Sequence, residues 1–254
     1  MVTCYYADGS VRTELEHRNG VGHGVKRIWY EDGKLEREEY WVDGRLDGQQ
    51  KLYYPDGSKQ ADAMWHRGYR DGSEIAWNEV GQVLYERNWK NGQLDGLETL
   101  WHLNAQKSAE CHYSGGQRHG HSVTWFETGQ SRSEGHYDQG SKVGEWFEWY
   151  SNGNPRSHGV LPTGLWTTYH RDGEKESEGQ QLEGEEDGPW KYWGANGHIK
   201  AEGEWSLGKR HGHWTHWFVN GNKKRESSWD QGKEHGDWAE WYPSGQEKQQ
   251  GQWR

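Results

Sequence analysis

Aromatic residues and glycines recur along this chain at a fixed spacing, between short stretches in which polar and less polar side chains alternate. An aromatic residue with Gly four residues later returns every 24 residues, with one step of 20 and with Ala105 once replacing the Gly. Counting that aromatic as position 1, eleven units begin at Tyr5, Trp29, Tyr53, Trp77, Trp101, Trp125, Trp149, Tyr169, Trp193, Trp217 and Trp241. Such self-similarity is the signature of a repeat architecture.

Glycines mark two turns in each unit, near positions 3–5 and 16–20, and leave two strand-length runs between them. Residues 146–150 exemplify one run and residues 84–89 the other, and Asp-Gly or Asn-Gly pairs flank many of them. This pattern is typical of a β-hairpin, and Gly recurs too often for a ten-residue helix. We therefore predict one hairpin per unit, with successive hairpins paired edge to edge.

Alternation along the second run of each unit assigns its side chains to two faces. Positions 9, 11 and 13 carry small, small and aromatic residues, as in Ala201, Gly203 and Trp205, whereas positions 8, 10 and 12 are polar. We expect the aromatic of one strand to lie over the Gly or Ala of its neighbour, and the rings of positions 1 and 13 to form two structural ladders along one face. The predicted ladder residues are Trp29, Trp41, Trp77, Trp89, Trp101, Trp125, Trp149, Trp193, Trp205, Trp217, Trp229 and Trp241.

Two units carry the clearest motifs, Trp29 to Gly33 followed by Glu38 and residues 40–48, and then residues 202–214. They resemble the MORN repeat, specifically the variant repeats of the YwqK-type antitoxin family, although Gln181 and His17 depart from the aromatic at position 13. The resemblance implies an all-β, elongated repeat solenoid of about eleven stacked antiparallel β-hairpins forming one long twisted sheet. At ~4.8 Å per strand such a sheet spans on the order of 100 Å, which small-angle scattering measures.

The repeat runs through the whole chain, so we predict one domain over residues 1–254. The repeat changes style near residues 120–145, where Trp at position 22 and Gly at position 11 become regular, beginning with Trp146 and Gly135. One repeat, residues 149–168, is shortened by four residues.

Composition changes the expected core and narrows the class of protein. Leu, Ile, Val and Phe together supply about 12% of the chain, which with a net charge of −10 suggests disorder, but 19 Trp and 14 Tyr supply a core of rings instead. Thirty basic against forty acidic residues argue against a nucleic-acid partner and against direct membrane binding. Without a signal-peptide pattern we expect a cytoplasmic protein, or a periplasmic one if a leader precedes this chain.

Catalytic motifs are missing from the sequence: no nucleophile motif, P-loop or dinucleotide fingerprint stands out. We therefore expect no enzyme, no catalytic residue, no cofactor and no small-molecule substrate. His211, His213 and His216, with His119 and His121, lack an acid or Cys at ligand spacing, so we expect no metal site. The acids at position 10 have two interpretations. Either each carboxylate bonds a neighbouring group on the open face, or the acids form a stripe that binds a basic partner.

An acidic segment next to the shortened repeat breaks the regular pattern, with eight acids against Lys175 over residues 172–187. A solvated surface is one interpretation, and a patch that steers a cationic partner is the other. The candidate partner-binding residues are Leu161, Thr163, Asp172, Glu174, Glu176, Glu178, Glu183, Glu185, Glu186 and Asp187. The favoured hypothesis is a non-enzymatic antitoxin or immunity protein that binds a toxin with a basic surface. The alternative is a structural scaffold or adaptor of the MORN type for membrane-associated or other protein partners.

Overall fold

The computed structural model describes residues 1–253, which form β-strands joined by short turns. Among these residues no helix is long and apolar enough to cross a membrane. The predicted all-β fold of antiparallel hairpins is confirmed: strands that follow one another in the chain pair antiparallel. The chain divides into two compact units, unit 1 with residues 1–129 and 138–140, and unit 2 with residues 130–137 and those from 141 onward.

Unit 1 contains twelve strands, of which two short ones are the halves of a single run interrupted at Asp95. They are β1 (Val2–Tyr5), β2 (Val11–Arg18), β3 (Val21–Trp29), β4 (Leu35–Val42), β5 (Arg45–Tyr53), β6 (Lys59–His66), β7 (Tyr69–Trp77), β8 (Val83–Lys90), β9 (Gln93–Leu94), β10 (Gly96–Trp101), β11 (Lys107–Ser114) and β12 (Gln117–Trp125). Both β9 and β10 pair with β8.

Unit 2 contains the remaining strands, except that the turn after β13, residues 138–140, is assigned to unit 1. They are β13 (Ser131–Asp138), β14 (Ser141–Trp149), β15 (Pro155–Leu161), β16 (Gly164–Tyr169), β17 (Lys175–Leu182), β18 (Glu185–Trp193), β19 (Ile199–Ser206), β20 (Lys209–Trp217), β21 (Lys223–Asp230), β22 (Lys233–Trp241) and β23 (Glu247–Trp253). In the shortened repeat, Pro162 and Thr163 alone join β15 to β16.

The two turns of each 24-residue repeat differ in backbone conformation, and the residues at each turn suit its conformation. Asp43 and Gly44, between β4 and β5, have φ of 48° and 78°, which is the two-residue hairpin turn that Asp-Gly favours. The turn between β3 and β4 is longer and closes with the amide of Gly33 donating to the carbonyl of Tyr30 at 3.0 Å. A β-bulge lies beside this turn: Ile28 pairs with Arg37 and Trp29 with Leu35, so the residue between Leu35 and Arg37 is the extra one. The bulge repeats from hairpin to hairpin and keeps the position-1 aromatic at the end of its strand.

Candidate functional site

In each of the two compact units, one face of the sheet carries a row of side chains from positions 11 and 22 of the successive repeats. We call it the central row. In unit 2 the row alternates Trp with Gly, except for Ser227 between Trp214 and Trp238, and Trp146, Trp190 and Trp214 are only 1–3% exposed. Each ring lies on the backbone of a Gly in the neighbouring strand: a Cβ added to Gly203 would meet Trp214 at 2.2 Å. The same contact joins Trp146 to Gly135, Trp166 to Gly159, Trp190 to Gly179 and Trp238 to Gly251.

The buried indoles of unit 2 also satisfy their polar atoms. The Nε1 of Trp214 donates to the carbonyl of Glu204 at 3.0 Å, and Trp190 donates to Gln180 at 2.8 Å. A register shift beside Gly179 frees the carbonyl of the next residue for this bond. The position-13 ring packs edge-on against the same indole, with 5.3 Å between the ring centroids of Trp205 and Trp214. Ring packing therefore replaces an aliphatic core here.

Unit 1 fills the same row with charged and polar side chains together with the small residues Ala63 and Cys111. Glu39 is 3% exposed, and its carboxylate accepts hydrogen bonds from Gln50 at 2.8 Å and from Trp41 at 3.0 Å. Lys26 and Arg37 lie 3.7 and 3.3 Å from it. Burial acts to raise the pKa of Glu39, but the bonds from Gln50 and Trp41 and the two cations outweigh it, so the pKa is lowered. The carboxylate is therefore held ionised inside the sheet face.

Further along unit 1 the same arrangement repeats at two more carboxylates. Glu74 accepts from the Nε1 of Trp89 at 2.8 Å and pairs with Arg70 at 3.1 Å. Glu98 pairs with the Nε of Arg87 at 2.7 Å. In unit 1 the position-13 residues Trp41 and Trp89 thus donate to carboxylates, whereas in unit 2 Trp205 donates to the hydroxyl of Tyr192 and meets the ring of Trp214 edge-on.

The predicted ladder rings lie on opposite faces of the sheet, which corrects the expectation that positions 1 and 13 share one face. Trp149 stacks on Phe147 at 5.9 Å, and Phe147 follows Trp146, whose ring lies in the central row with that of Tyr137. Adjacent residues of a strand point to opposite faces, so position 1 lies away from the central row. All of the predicted ladder Trp residues are half-buried.

On the face opposite the central row, the acids at position 10 have partners. Lys175 lies 2.7 Å from Glu178 and also covers the ring of Trp193, with its Nζ 5.2 Å from the centroid. The pairs Arg27–Glu38, Lys107–Glu110, Lys191–Glu202 and Lys223–Glu226 lie in equivalent places. These contacts favour the architectural interpretation of the position-10 acids.

The candidate partner-binding residues are brought together only in part. Thr163, Glu183 and Glu185 are exposed at one edge of the sheet, where the amide of Glu183 donates to Thr163 Oγ1 at 3.2 Å and that of Gly184 to Pro162 at 2.8 Å. Beside them lie Leu161, Glu186 and Asp187. We call these residues the acidic edge: Leu161, Thr163, Glu183, Glu185, Glu186 and Asp187.

The other candidates lie elsewhere. Asp172 and Glu174 flank the turn at the opposite end of β17, a strand of eight residues or ~25 Å. Glu176 accepts a hydrogen bond from the Thr168 hydroxyl at 3.4 Å. Glu178 pairs with Lys175 on the face opposite the central row. Antiparallel pairing places consecutive turns at opposite edges, so neighbours in sequence are separated in space.

Two members of the acidic edge also serve the fold. Tyr192 donates to Glu186 at 3.2 Å, and burial, with Glu185 next to it, raises the pKa of the Glu186 carboxyl despite the bond from Tyr192. Asp187 Oδ1 accepts from the amide of Leu207 at 3.1 Å. Thr163 accepts the Glu183 amide in the same way, so Glu183 and Glu185 are the exposed members whose side chains are free to contact a partner.

The histidines noted in the sequence lie in separate places. His119 is 3.2 Å from Asp138 and His211 is 3.5 Å from Asp230, each at a hairpin turn. His216 stacks on Trp214 with 6.1 Å between centroids. Within residues 1–253, no three His, Cys, Asp or Glu side chains are grouped as metal ligands.

Four stretches of the chain match the MORN repeat variant family: residues 22–43, 118–139, 142–160 and 186–206. This match supports the predicted MORN-type repeat and indicates a protein-binding repeat protein. A comparison with curated proteins gives no match.

Solved structures similar to this chain include the crystal structure of TcdB2-TccC3-Cdc42, with 11% identity over 98% of this chain and 17% of that one, at a TM-score of 0.20. The Photorhabdus luminescens Tc holotoxin pore gives 11% identity over 99% of this chain and 16% of that one, at a TM-score of 0.18. The chain thus spans less than a fifth of the length of either, and neither likeness bears on its function.

Proposed function

We propose that this chain is an antitoxin or immunity protein that neutralises a toxin by binding it, without catalysing a reaction. The MORN repeat match supports a protein-binding role. The resemblance of the repeats to those of YwqK-type antitoxins supports the inhibitory one. Regular repeat positions are occupied by rings, glycines and paired acids that stabilise the sheet. Partner specificity is therefore expected where the repeat is broken.

The proposed interface is the acidic edge. The observation that carries it is the pair of hydrogen bonds that join the Pro162–Thr163 turn to the Glu183–Gly184 turn. These bonds set the shortened repeat beside the acidic turn, so the two irregular features form one continuous edge. Asp172 and Glu174, at the far end of the strand, are left out of the proposed interface.

The partner expected at this edge carries a cationic surface. Exposed carboxylates attract such a surface over about one Debye length, ~10 Å at 0.1 M salt, and raise the rate of encounter more than the lifetime of the complex. A Thr hydroxyl and the half-buried Leu161 add a polar and an apolar contact beside the charges. Binding there should cover an active or membrane-binding surface of the toxin.

The test is co-expression of this chain with the product of the gene encoded beside it. Relief of the growth arrest that this product causes, together with a stable purified complex, is the expected result. Association is then measured at low salt for the wild type and for Glu183→Lys/Glu185→Lys. We expect the reversal to slow association about tenfold or more, because two attractive charges become repulsive. Glu186 is left intact because of its bond to Tyr192.

The matched control is Asp172→Lys/Glu174→Lys, which changes the net charge equally at the opposite edge and should leave association close to wild type. Equal slowing by both variants would show long-range attraction by net charge and would remove the acidic edge from the interface. A neighbouring product that is not toxic, or that does not bind, would overturn the antitoxin role itself.

A further inference from the structure

A basic hollow lies on the central-row face of unit 2, near the last strands described. Its volume is about 470 Å³, within the usual range for small-ligand sites. The cations Arg210, Lys224, Arg225 and Lys248 line it, with His216. Phe218 and Trp229 supply aromatic surface, and Ser227, Glu240 and Trp241 complete the lining, although the ring of Trp241 itself lies under Lys223 on the other face. We call this set of residues the basic hollow.

The charges of the basic hollow do not cancel. Glu240 is its one carboxylate, and it lies 3.5 Å from Lys248 and 3.9 Å from Arg225. Arg225 also pairs with Glu234 at 2.7 Å, while its Nε is buried and has no hydrogen-bond partner. Four cations therefore face three carboxylates at most, Glu240, Glu234 and the Glu186 that interacts with Arg210, in a protein whose net charge is −10.

Arg210 has its guanidinium among rings, without an ion pair among the residues described. Its Cζ lies 4.5 Å from the centroid of Trp214 and 5.0 Å from that of Trp229. The equivalent Arg70 of unit 1 has two Trp rings around it as well, but there Glu74 at position 22 neutralises the guanidinium at 3.1 Å. Unit 2 has Trp214 at that position, so Arg210 lacks the close ion pair that Arg70 has, and the carboxylate of Glu186 interacts with it only through space.

We propose that the basic hollow binds an oxyanion, phosphate or carboxylate, carried by a ligand with a flat apolar body. The cations would bind the oxyanion through charge-assisted hydrogen bonds, and the aromatic walls would contact the flat part. The anion comes either from a free small molecule or from an acidic side chain of a protein partner. This site is separate from the acidic edge and does not depend on the antitoxin proposal.

The state of His216 agrees with a positive potential in the hollow. Burial lowers the pKa of its imidazole, and Arg210, Arg225, Lys224 and Lys200 lower it further. Its Nδ1 is buried without a hydrogen-bond partner. An anion bound among these cations would offset their charge and raise the His216 pKa, which NMR titration measures.

Calorimetry with the whole chain tests the proposal, using four probes: inorganic phosphate, AMP, uncharged adenosine, and the dipeptide N-acetyl-phenylalanyl-aspartate. We expect AMP or the dipeptide to bind more tightly than phosphate or adenosine, because only they combine an anion with a ring. Lys224→Gln/Lys248→Gln should weaken that binding by about tenfold or more. Both lysines are exposed, so the fold should be retained.

The control is Lys191→Gln/Lys223→Gln, which removes the same charge from the opposite face and should leave binding unchanged. Tight binding of AMP would identify a free small-molecule anion as the source, and binding of the dipeptide alone would identify a partner's acidic side chain. No binding of any anion at millimolar concentration, or an equal loss in the control variant, would overturn the proposal.

Discussion

At the scale of single residues, the glycines at position 11 are needed for space and not for backbone freedom. Gly203 lies in an extended strand, yet a Cβ there would fall 2.2 Å from Cδ2 of Trp214. Ring and backbone can touch face to face only where the side chain is absent. Unit 1 has Glu39, Ala63 and Cys111 at the equivalent position, where no Trp covers the strand.

Gly203→Ala should therefore destabilise the protein by roughly 1–3 kcal/mol, the usual cost of overpacking a well-filled site. Chemical denaturation, followed by far-UV circular dichroism, measures the change in unfolding free energy. Trp214→Ala should cost roughly 3–5 kcal/mol, because it empties a fully buried ring site.

The double variant Gly203→Ala/Trp214→Ala distinguishes the contact from other effects. With the ring removed, the added methyl group has room and also restricts the unfolded chain, so Gly203→Ala should become neutral or stabilising. Additive losses in the double variant would mean that the ring contact is not the reason for the glycine.

At the scale of the hairpin, side chains and turns link each repeat to the next. The hydroxyl of Tyr30, at position 2 of its repeat, donates to the carbonyl of Tyr53 in the following repeat at 2.7 Å. Tyr54 and Tyr150 make the same bond to the next repeat. At the other edge the amide of Gly44 donates to Gly22 in the preceding hairpin at 2.8 Å. These bonds satisfy backbone groups that the strand pairing leaves open at the turns.

Tyr30→Phe should lower the unfolding free energy by about 0.5–1.5 kcal/mol, because one inter-hairpin hydrogen bond is lost while the ring stays. Thermal unfolding of the two proteins measures the difference. Tyr40→Phe is the control, since the Tyr40 side chain is 44% exposed, and it should be close to neutral. Equal effects of both changes would show that the bond at Tyr30 adds nothing to stability.

At the scale of the whole molecule, the two units stabilise the same fold with different chemistry. The central row of unit 1 depends on Glu39, Glu74 and Glu98 paired with cations, and that of unit 2 mainly on Trp rings over Gly. Because the folded state lowers the Glu39 pKa, its stabilising contribution is complete above the ordinary value of 4.5 and is lost as the pH falls through the folded pKa.

Acid should therefore loosen unit 1 before unit 2. We expect amide hydrogen exchange, normalised for the intrinsic effect of pH, to rise more in residues 1–129 than in residues 141–253 between pH 7 and pH 3. Glu39→Gln should be less stable than wild type at pH 7, and the difference should narrow as the pH falls. Uniform loss of protection in both units would contradict the division of chemistry between them.

The repeat in the sequence was sufficient to predict the hairpins, because Gly and aromatic positions report local turn and strand preferences. It also predicted a ring lying over a Gly of the neighbouring strand, although the ring of Trp214 comes from position 22. Placing positions 1 and 13 on one face was wrong, because strand alternation around the turns carries them to opposite faces.

The basic hollow was not recognised from the sequence. One signal was present in Lys223-Lys224-Arg225, the one run of three basic residues in the chain. A β-bulge at Lys224 divides this run between the two faces: Lys223 pairs with Glu226 on one face, while Arg225 lines the hollow on the other. Arg210 and Lys248, from other strands, join it only through strand pairing.

The sequence by itself determined the all-β class, the hairpin unit, the turn residues and the eleven-fold periodicity, because these follow from short-range steric preferences repeated along the chain. The tertiary structure alone decided which side chains of different strands meet. Strand register separated Asp172 from Glu183, paired Glu39 with Gln50 and brought four cations to one hollow. Register sets contacts between residues that are distant in the chain, and a local sequence pattern does not specify these contacts.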